Sequence, residues 1–262
     1  MCIRDRHTET FGRHVVYLSS TTSTNEEAKK IAREGAEEGT IVVAEEQTGG
    51  RGRLTRSFYC PFAKGIWFTL ILRPKFFPME ASKCTLMAAV GVCRGIRRLG
   101  LQDAGIKWPN DILYHGKKLV GILTEMSASM EKIDYIIIGA GINTGMKKSE
   151  FPELFRESAT SFLAEGIDVS RKDLLAAILA ELEKEYEIAQ TQGFDKVLED
   201  WKALSVTLGQ DVRVIMGDEN YTGKAVDIDK DGCLLVDTGE KVERVIAGDV
   251  SIRPIDVPLP KR

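Results

Sequence analysis

The sequence lacks the cysteine pairs, the long apolar run and the basic excess that mark several common classes of protein. Its five cysteines are scattered, odd in number and without a C-x-x-C pair, which argues against a disulfide framework and a zinc cluster. Its longest apolar runs, such as residues 135–138, are far too short to span a bilayer. A net charge of −3 argues against the broad basic surface expected of a protein that lives on DNA or an anionic membrane. A reducing, cytoplasmic setting fits this pattern best.

The chain has enough length, 262 residues, to bury a substantial core. From residue 208 onward the pattern changes to short alternating segments (212–216, 221–228, 233–236 and 241–246) separated by Gly- and Asp-rich turns, which is typical of a small β-barrel. The sequence therefore predicts an unassigned extension over residues 1–10, a large domain over residues 11–206 and a small β domain over residues 207–262.

The large domain mixes predicted helices and strands. A helix is predicted over residues 25–33, because two overlapping S/T-x-x-E capping patterns begin at Ser23 and Thr24. Two more helices are predicted, one between residues 79 and 99 and one over residues 171–190, the second capped by Ser170. Strands are predicted over residues 40–44, 66–72, 105–108, 112–114, 119–126 and 133–139.

The most unusual stretch is QTGGRGRLTR, residues 47–56. Glycine lets a backbone approach a ligand or adopt a positive φ, and arginine offers a charged planar fork that matches a carboxylate or phosphate. Each charge pair at about 4 Å and a dielectric near 20 gives roughly 4 kcal/mol before desolvation. The stretch therefore predicts an anion clamp. A solvated turn is the alternative, and a nucleic-acid contact is disfavoured in an acidic chain without interleaved aromatic residues.

Familiar nucleotide motifs do not account for the glycines. No G-x-x-x-x-G-K-[ST] phosphate loop occurs in the sequence. The stretch GAGINTG, residues 139–145, follows a predicted strand, but its glycine spacing does not match a dinucleotide fold. We expect this stretch to be a strand end where the backbone approaches a ligand.

Four stretches in a fixed order carry a family resemblance: STN at residues 23–25, residues 47–56, KWPND at residues 107–111, and KLVGIL at residues 118–123 followed by GIN at residues 141–143. The ordered set resembles the biotin protein ligases over about residues 11–254. The resemblance implies an α+β fold, with a mixed sheet flanked by helices as in class II synthetase cores, and a C-terminal SH3-like β-barrel. It also implies that biotin and ATP, with Mg²⁺, give biotinyl-5′-adenylate, and that the acyl group then passes to a lysine of a biotin carboxyl carrier protein.

The resemblance also implies roles for single residues. Arg53 is expected to hold the adenylate, and Lys118 to bridge the carboxylate and phosphate, which makes these two the predicted catalytic residues. Asp111 is a predicted metal contact. The predicted contacts to biotin or the adenylate are Ser23, Thr24, Asn25, Gln47, Gly50, Arg51, Gly52, Arg53, Arg56, Trp67, Lys118, Gly121, Gly139 and Asn143.

Several of these residues have an ordinary structural alternative. Ser23 and Thr24 could cap a helix, and Asp111 could stabilise a turn. Trp67 could be a core aromatic, and Lys118 could lie on a solvated strand edge. The chain also departs from the family pattern at one place, because Phe58 stands where tryptophan is usual and is followed by Tyr59-Cys60 instead of a small polar pair.

Two other functions fit the same sequence features. A lipoate ligase shares the fold and the adenylation chemistry, and a biotin-binding regulatory module shares the binding site. About ten residues precede Phe11, too few for a three-helix DNA-binding domain, so no DNA binding is expected of this chain; the alternative is a truncated start from which a DNA-binding arm was lost. A homodimer through edge strands is compatible with such a sheet.

Overall fold

The chain forms two β-sheets, one large and mixed, the other small and antiparallel. The computed structural model describes residues 8–54, 56–216, 219–247 and 250–254. Part of the predicted N-terminal extension, residues 1–7, lies outside these residues, as does the end of the predicted β domain, residues 255–262.

The large sheet has seven strands in the order β1-β2-β3-β7-β6-β5-β4. Their bounds are β1 (Val15–Leu18), β2 (Ile41–Ala44), β3 (Gly65–Leu72), β4 (Gly105–Lys107), β5 (Asp111–Tyr114), β6 (Lys117–Ala128) and β7 (Ile133–Asn143). The β1–β2 pair is parallel and the other pairs are antiparallel, which confirms the mixed sheet.

Four α-helices are described: α1 (Thr24–Arg33), α2 (Cys84–Arg98), α3 (Arg171–Gln192) and α4 (Asp195–Leu204). One face of the large sheet, with Phe68 and Leu70 of β3 and Ile138 of β7, packs into the main core with α2, α3 and α4. The opposite face packs against α1 in a smaller cluster that includes Val42, Ile71 and Ile137. Strands β2 and β3 are buried along their whole length, because both of their faces are covered.

The second sheet is antiparallel, with the order β11-β10-β9-β8-β12. Its strands are β8 (Asp211–Met216), β9 (Glu219–Ile228), β10 (Leu234–Asp237), β11 (Val242–Val245) and β12 (Val250–Pro254). Two hydrogen bonds tie Trp108, beyond β4, to this region: its backbone N–H donates to Thr207 Oγ1 at 2.9 Å and its indole N–H to the carbonyl of Gly232 at 3.1 Å. Among the described helices, none has the length and apolarity needed to cross a membrane.

The structure refines several sequence predictions. The helix predicted between residues 79 and 99 covers Cys84–Arg98 and is preceded by a 3₁₀ segment, Pro78–Lys83. The glycine stretch 139–145 contains the end of β7, which stays paired to β3 as far as Asn143 and to β6 as far as Ile142. Strands β1 and β12 and helix α4 were not predicted.

Candidate active site

A row of paired residues crosses the large sheet and forms a floor with little side-chain volume. Trp67 of β3 pairs with Gly141 of β7, Gly141 with Gly121 of β6, and Gly121 with Asp111 of β5. Residues directly opposite each other in neighbouring strands project from the same face. Trp67 and Asp111 therefore stand at the two sides of a floor made by two glycines, on the face that carries α1.

Phe58 covers this glycine floor in the structure. A Cβ atom added at Gly141 would lie 2.7 Å from a ring carbon of Phe58, and one added at Gly121 would lie 3.0 Å from another. The ring meets Trp67 edge to face, with 6.0 Å between centroids, and Lys118 Nζ lies 5.5 Å from its centroid. An aromatic ring thus fills the space between Trp67 and Lys118, so this space accepts a flat apolar body.

The described residues of the loop, 47–54 and 56–58, pair with each other across a hairpin. Gly52 N donates to Arg56 O at 2.7 Å and Phe58 N to Gly50 O at 2.9 Å. Of the residues described in this loop, Leu54 has a positive φ, 55°, and the glycines do not. The described loop glycines therefore do not serve to supply a positive φ. Gly50 is needed for space, since a Cβ there would lie 2.5 Å from the carbonyl oxygen of Phe58.

The loop arginines have different partners. Arg51 is exposed and lies 3.5 Å from the carboxylate of Glu26 on α1. Arg53 is half-buried; it donates to Asn110 Oδ1 at 3.2 Å and to the carbonyl of Ala247, beyond β11. Arg56 is exposed. Arg53 therefore joins the loop both to the large sheet and to the second sheet.

Lys118 pairs with Asp111 at one side of the glycine floor. Its Nζ lies 2.7 Å from Asp111 Oδ1, but this contact lacks hydrogen-bond geometry. Asp111 Oδ1 is buried and accepts no hydrogen bond from the described residues. The backbone of Lys118 is fixed by Ser158 O and by Thr160 N, at 2.8 and 2.9 Å. Asp111 thus balances the lysine charge. No cluster of three or more His, Cys, Asp or Glu side chains that could hold a metal occurs in the described part of the chain.

The N-terminus of α1 lies beside the floor. Ser23 occupies the N-cap position, but its side chain makes no capping hydrogen bond. Thr24 donates its backbone N–H and its hydroxyl to Gln47 Oε1, at 2.7 and 2.9 Å. Gln47 Nε2 donates to Cys60 Sγ at 3.1 Å. The polar groups predicted to hold a ligand are therefore held by each other.

The structure gives Gly139 and Asn143 contacts within the protein. A Cβ at Gly139 would lie 2.0 Å from Asn25 Oδ1, so the Asn25 amide rests directly on this glycine. Asn143 is buried, and its Nδ2 donates to the carbonyl of Thr160 at 3.0 Å, which fixes the segment after β7. Both residues shape the site through neighbours, and their predicted ligand contacts stay predictions.

An open cavity of about 470 Å³ lies next to the loop. Ser23 and Asn25 line it from α1, Arg51 and Arg53 from the loop, and Ala247 from the far end of the chain. The Ser23 hydroxyl makes no hydrogen bond with any described residue, so it is available to a ligand. A second cavity of about 320 Å³, between β4–β5 and the second sheet, contains none of the predicted site residues.

Sequence reasoning missed several residues that organise the site. Glu26 and Ala247 receive the loop arginines, and Thr69 contacts the first residues of α1. Thr69 lies two residues from Trp67 on the same face of β3, a spacing that the sequence does show. The contact of Arg53 with Ala247 spans 194 residues, and no local pattern signals it.

The matched families define the class of protein. Residues 17–143 match the Biotin/lipoate A/B protein ligase family, and residues 207–253 match the Biotin protein ligase C terminal domain. The bifunctional ligase/repressor BirA of Bacillus subtilis is 38% identical over 246 residues, which are 94% of this chain and 76% of that protein. The chain belongs to the biotin protein ligase family.

Two further comparisons agree with this assignment. The biotin–[acetyl-CoA-carboxylase] ligase of Mycobacterium tuberculosis is 32% identical over 245 residues, covering 91% of this chain and 88% of that one. The structure of the biotin protein ligase from Aquifex aeolicus in complex with biotin and ATP matches with a TM-score of 0.80 at 28% identity, covering 92% of this chain and 99% of that one.

Proposed function

We propose that this protein is an ATP-dependent ligase that activates biotin as biotinyl-5′-AMP and transfers it to one lysine of a biotin carboxyl carrier protein. One observation carries the proposal. Arg53 contacts Asn110, and Lys118 contacts the next residue, Asp111, so two cations from distant parts of the sequence bind neighbouring residues at the start of β5. That is where a carboxylate and a phosphate would have to be brought together.

The first half-reaction needs this concentration of positive charge. A biotin carboxylate and the α-phosphate of ATP repel each other, so attack requires both anions to be neutralised and aligned. The carboxylate oxygen forms a bond to the α-phosphorus, and the bond from phosphorus to pyrophosphate breaks. Lys118 neutralises the two reacting groups, while Arg51 and Arg53 exchange their present partners for phosphate oxygens. The described partners include an exposed carboxylate for Arg51 and the neutral oxygens of Asn110 and Ala247 for Arg53, and such groups compete weakly with phosphate.

The second half-reaction releases AMP. The amine of the acceptor lysine attacks the acyl carbon, the bond from that carbon to the phosphate oxygen breaks, and the amine loses a proton. Lys118 and Arg53 stabilise the departing phosphate. The loop hairpin meanwhile keeps water away from the mixed anhydride, which hydrolyses if exposed.

Biotin fits the space that Phe58 now covers. Its fused ring is compact, with an apolar thiophane half that suits the space of the phenyl ring over Gly121 and Gly141, and its ureido group suits Ser23 and the second Gln47 amide N–H, which has no partner among the described residues. The ligase from Aquifex aeolicus that this chain resembles holds biotin and ATP, which supports both ligands here. We therefore expect Phe58 to move aside when biotin binds.

Mg²⁺ is part of the proposal only as the companion of ATP. The described residues form no three-ligand cluster, and the one carboxylate beside Lys118, that of Asp111, is paired with the lysine. Mg²⁺ commonly binds through substrate phosphates and one or two carboxylates. The ion would arrive with the nucleotide, and no step above depends on it.

The remaining elements of the proposal concern setting and organisation. We place the division between the ligase domain and the SH3-like domain at residues 206/207, between α4 and β8. The four described cysteines are free and buried, which supports a reducing, cytoplasmic setting. The acceptor carrier protein follows from the family, and a homodimer through an exposed strand stays a prediction.

Pyrophosphate exchange tests the first half-reaction. Labelled pyrophosphate should enter ATP when biotin is present and should not enter when lipoate replaces it. Exchange with lipoate alone would instead favour a lipoate ligase. Biotin binding without any exchange would favour a regulatory binding module, and either result would overturn the proposal.

A further inference from the structure

A chain of hydrogen bonds, partly buried at Gln47 and fully buried at Thr69, runs beneath the candidate biotin site. It begins at Cys60 and passes through Gln47 and Thr24 to Thr69, whose hydroxyl lies 2.8 Å from Thr24 Oγ1. The same hydroxyl lies 2.7 Å from Asn25 Oδ1. Thr69 is fully buried on β3, and it is the point at which the chain divides.

The donors in this chain are already assigned. The Thr24 hydroxyl proton is committed to Gln47 Oε1, so the Thr24 oxygen can only accept from Thr69. The Asn25 amide donates its N–H to Glu125 at 2.8 Å, so its oxygen is the atom that faces Thr69. The single Thr69 proton therefore serves two buried acceptors.

We propose that Thr69 is a positioning residue for biotin, because its buried hydroxyl fixes the orientations of Thr24 and Asn25 and, through Thr24, the orientation of the Gln47 amide. The inference rests on the proposed function. Without the Thr69 hydroxyl, Thr24 Oγ1 and Asn25 Oδ1 lose their donor, and Thr24 can turn away from Gln47. Gln47 Oε1 then keeps the Thr24 backbone N–H at 2.7 Å and loses the hydroxyl at 2.9 Å, so one of the two hydrogen bonds that orient the amide oxygen is lost.

The effect should fall on biotin affinity and spare the phosphate chemistry. The described contacts of Lys118 are with Asp111, with Phe58 and with the segment at residues 158–160. None of these groups belongs to the hydrogen-bond chain. The hydrogen-bond chain instead surrounds Gln47 and the start of α1. A change in Thr69 therefore predicts a separation between the KM for biotin and kcat.

Two matched pairs of variants isolate the hydroxyl. Thr69→Val keeps the shape of wild type and removes the oxygen, while Thr69→Ala and Thr69→Ser both lack the methyl group and differ in the oxygen. Thr124→Val is the control, because the buried Thr124 hydroxyl has no hydrogen-bond partner among the described residues. If Thr69→Val does not fold, the comparison of Ala with Ser decides the question.

Steady-state pyrophosphate exchange, with biotin and ATP varied separately, is the measurement. The loss of one hydrogen bond predicts that Thr69→Val raises the KM for biotin about five- to tenfold. The KM for biotin of Thr69→Ala should exceed that of Thr69→Ser by a similar factor. The KM for ATP and kcat should stay within about twofold, and Thr124→Val should match wild type.

A second readout tests whether Thr69 acts through Thr24. In a Thr24→Val background, Thr69→Val should raise the KM for biotin by much less than in wild type, because the shared pathway is already broken. An unchanged KM for biotin, an equal loss in every parameter, or full additivity with Thr24→Val would each overturn the inference. A wild-type protein without any biotin-dependent exchange would instead refute the proposed function, so the two failures are distinguishable.

Discussion

Replacing Gly139 with alanine should displace the Asn25 amide and loosen the start of α1. The new Cβ would lie 2.0 Å from Asn25 Oδ1, well inside any permitted contact, and β7 is held on both sides by β3 and β6. The side chain of Asn25 must therefore move. It would lose the hydrogen bond from Thr69 at 2.7 Å and its own bond to Glu125 at 2.8 Å.

The size of the effect follows from these two bonds. A neutral hydrogen bond contributes about 1 kcal/mol and one to a charged group about 2 kcal/mol, so Gly139→Ala should lower the free energy of unfolding by about 3 kcal/mol. Urea unfolding followed by tryptophan fluorescence measures this change, provided that the slope with urea is the same in both proteins.

The control variant removes the Asn25 side chain, with which the new Cβ would clash, and leaves Gly139 unchanged. Asn25→Ala loses the same two bonds and leaves room over Gly139, so a further Gly139→Ala substitution should then cost less than about 0.5 kcal/mol. If Gly139→Ala costs the same in both backgrounds, the clash with Asn25 is not the cause and the reasoning is refuted.

Three more predictions address the loop, the thiols and a buried carboxylate. Arg53→Ala should still form biotinyl-adenylate but release it, so that added proteins are biotinylated indiscriminately; retention as in wild type would mean that Arg53 has another role. Burial raises the pKa of the Cys60 thiol to about 12, so native protein at pH 8 should not react there with a thiol reagent, and mass spectrometry that finds Cys60 modified before unfolding would contradict this. Burial also raises the pKa of Glu185 despite its partner Arg94. The folded state therefore favours the protonated carboxyl. As pH rises above the ordinary pKa range of glutamate, the free energy of unfolding of wild type should fall relative to that of Glu185→Gln. A difference between the two proteins that does not change with pH would contradict this prediction.

Much of the large sheet could be predicted because its strands and helices carry strong local patterns. The apolar run of β3 and the helical spacing in α2 and α3 are visible without any partner. Strand β1 was missed because it has four residues and no alternation that distinguishes it from a loop. Helix α4 was missed because it is only ten residues long and has no side-chain capping hydrogen bond at its start. Gly193, which ends α3, also gives the segment after it the appearance of a loop.

The site was predicted as a set of residue types and less well as a set of contacts. The order of motifs predicts Arg53, Lys118 and Gln47 as site residues, but it does not show that Gln47 is held by Thr24 and Cys60. The capping pattern at Ser23 was correct for the position of the helix start and wrong for the hydrogen bond, because nothing local shows that the serine lines a cavity. Contacts between distant segments depend on the sheet register, which sequence patterns do not specify.

The glycine pair Gly121 and Gly141 illustrates the same limit. Each glycine is visible in the sequence, but the floor exists only because β6 and β7 pair them directly. A shift of the register by one residue would move both to different partners and faces.

The most direct test of the proposed activity is the mass of a purified biotin carboxyl carrier domain after incubation with this protein and biotin, with and without ATP. We predict an increase by one biotinyl group at a single lysine that requires ATP, and no increase when Lys118→Gln replaces the wild-type protein. An acceptor mass that stays unchanged with ATP present, or full modification by Lys118→Gln, would contradict a site in which Lys118 and the loop arginines join biotin to AMP.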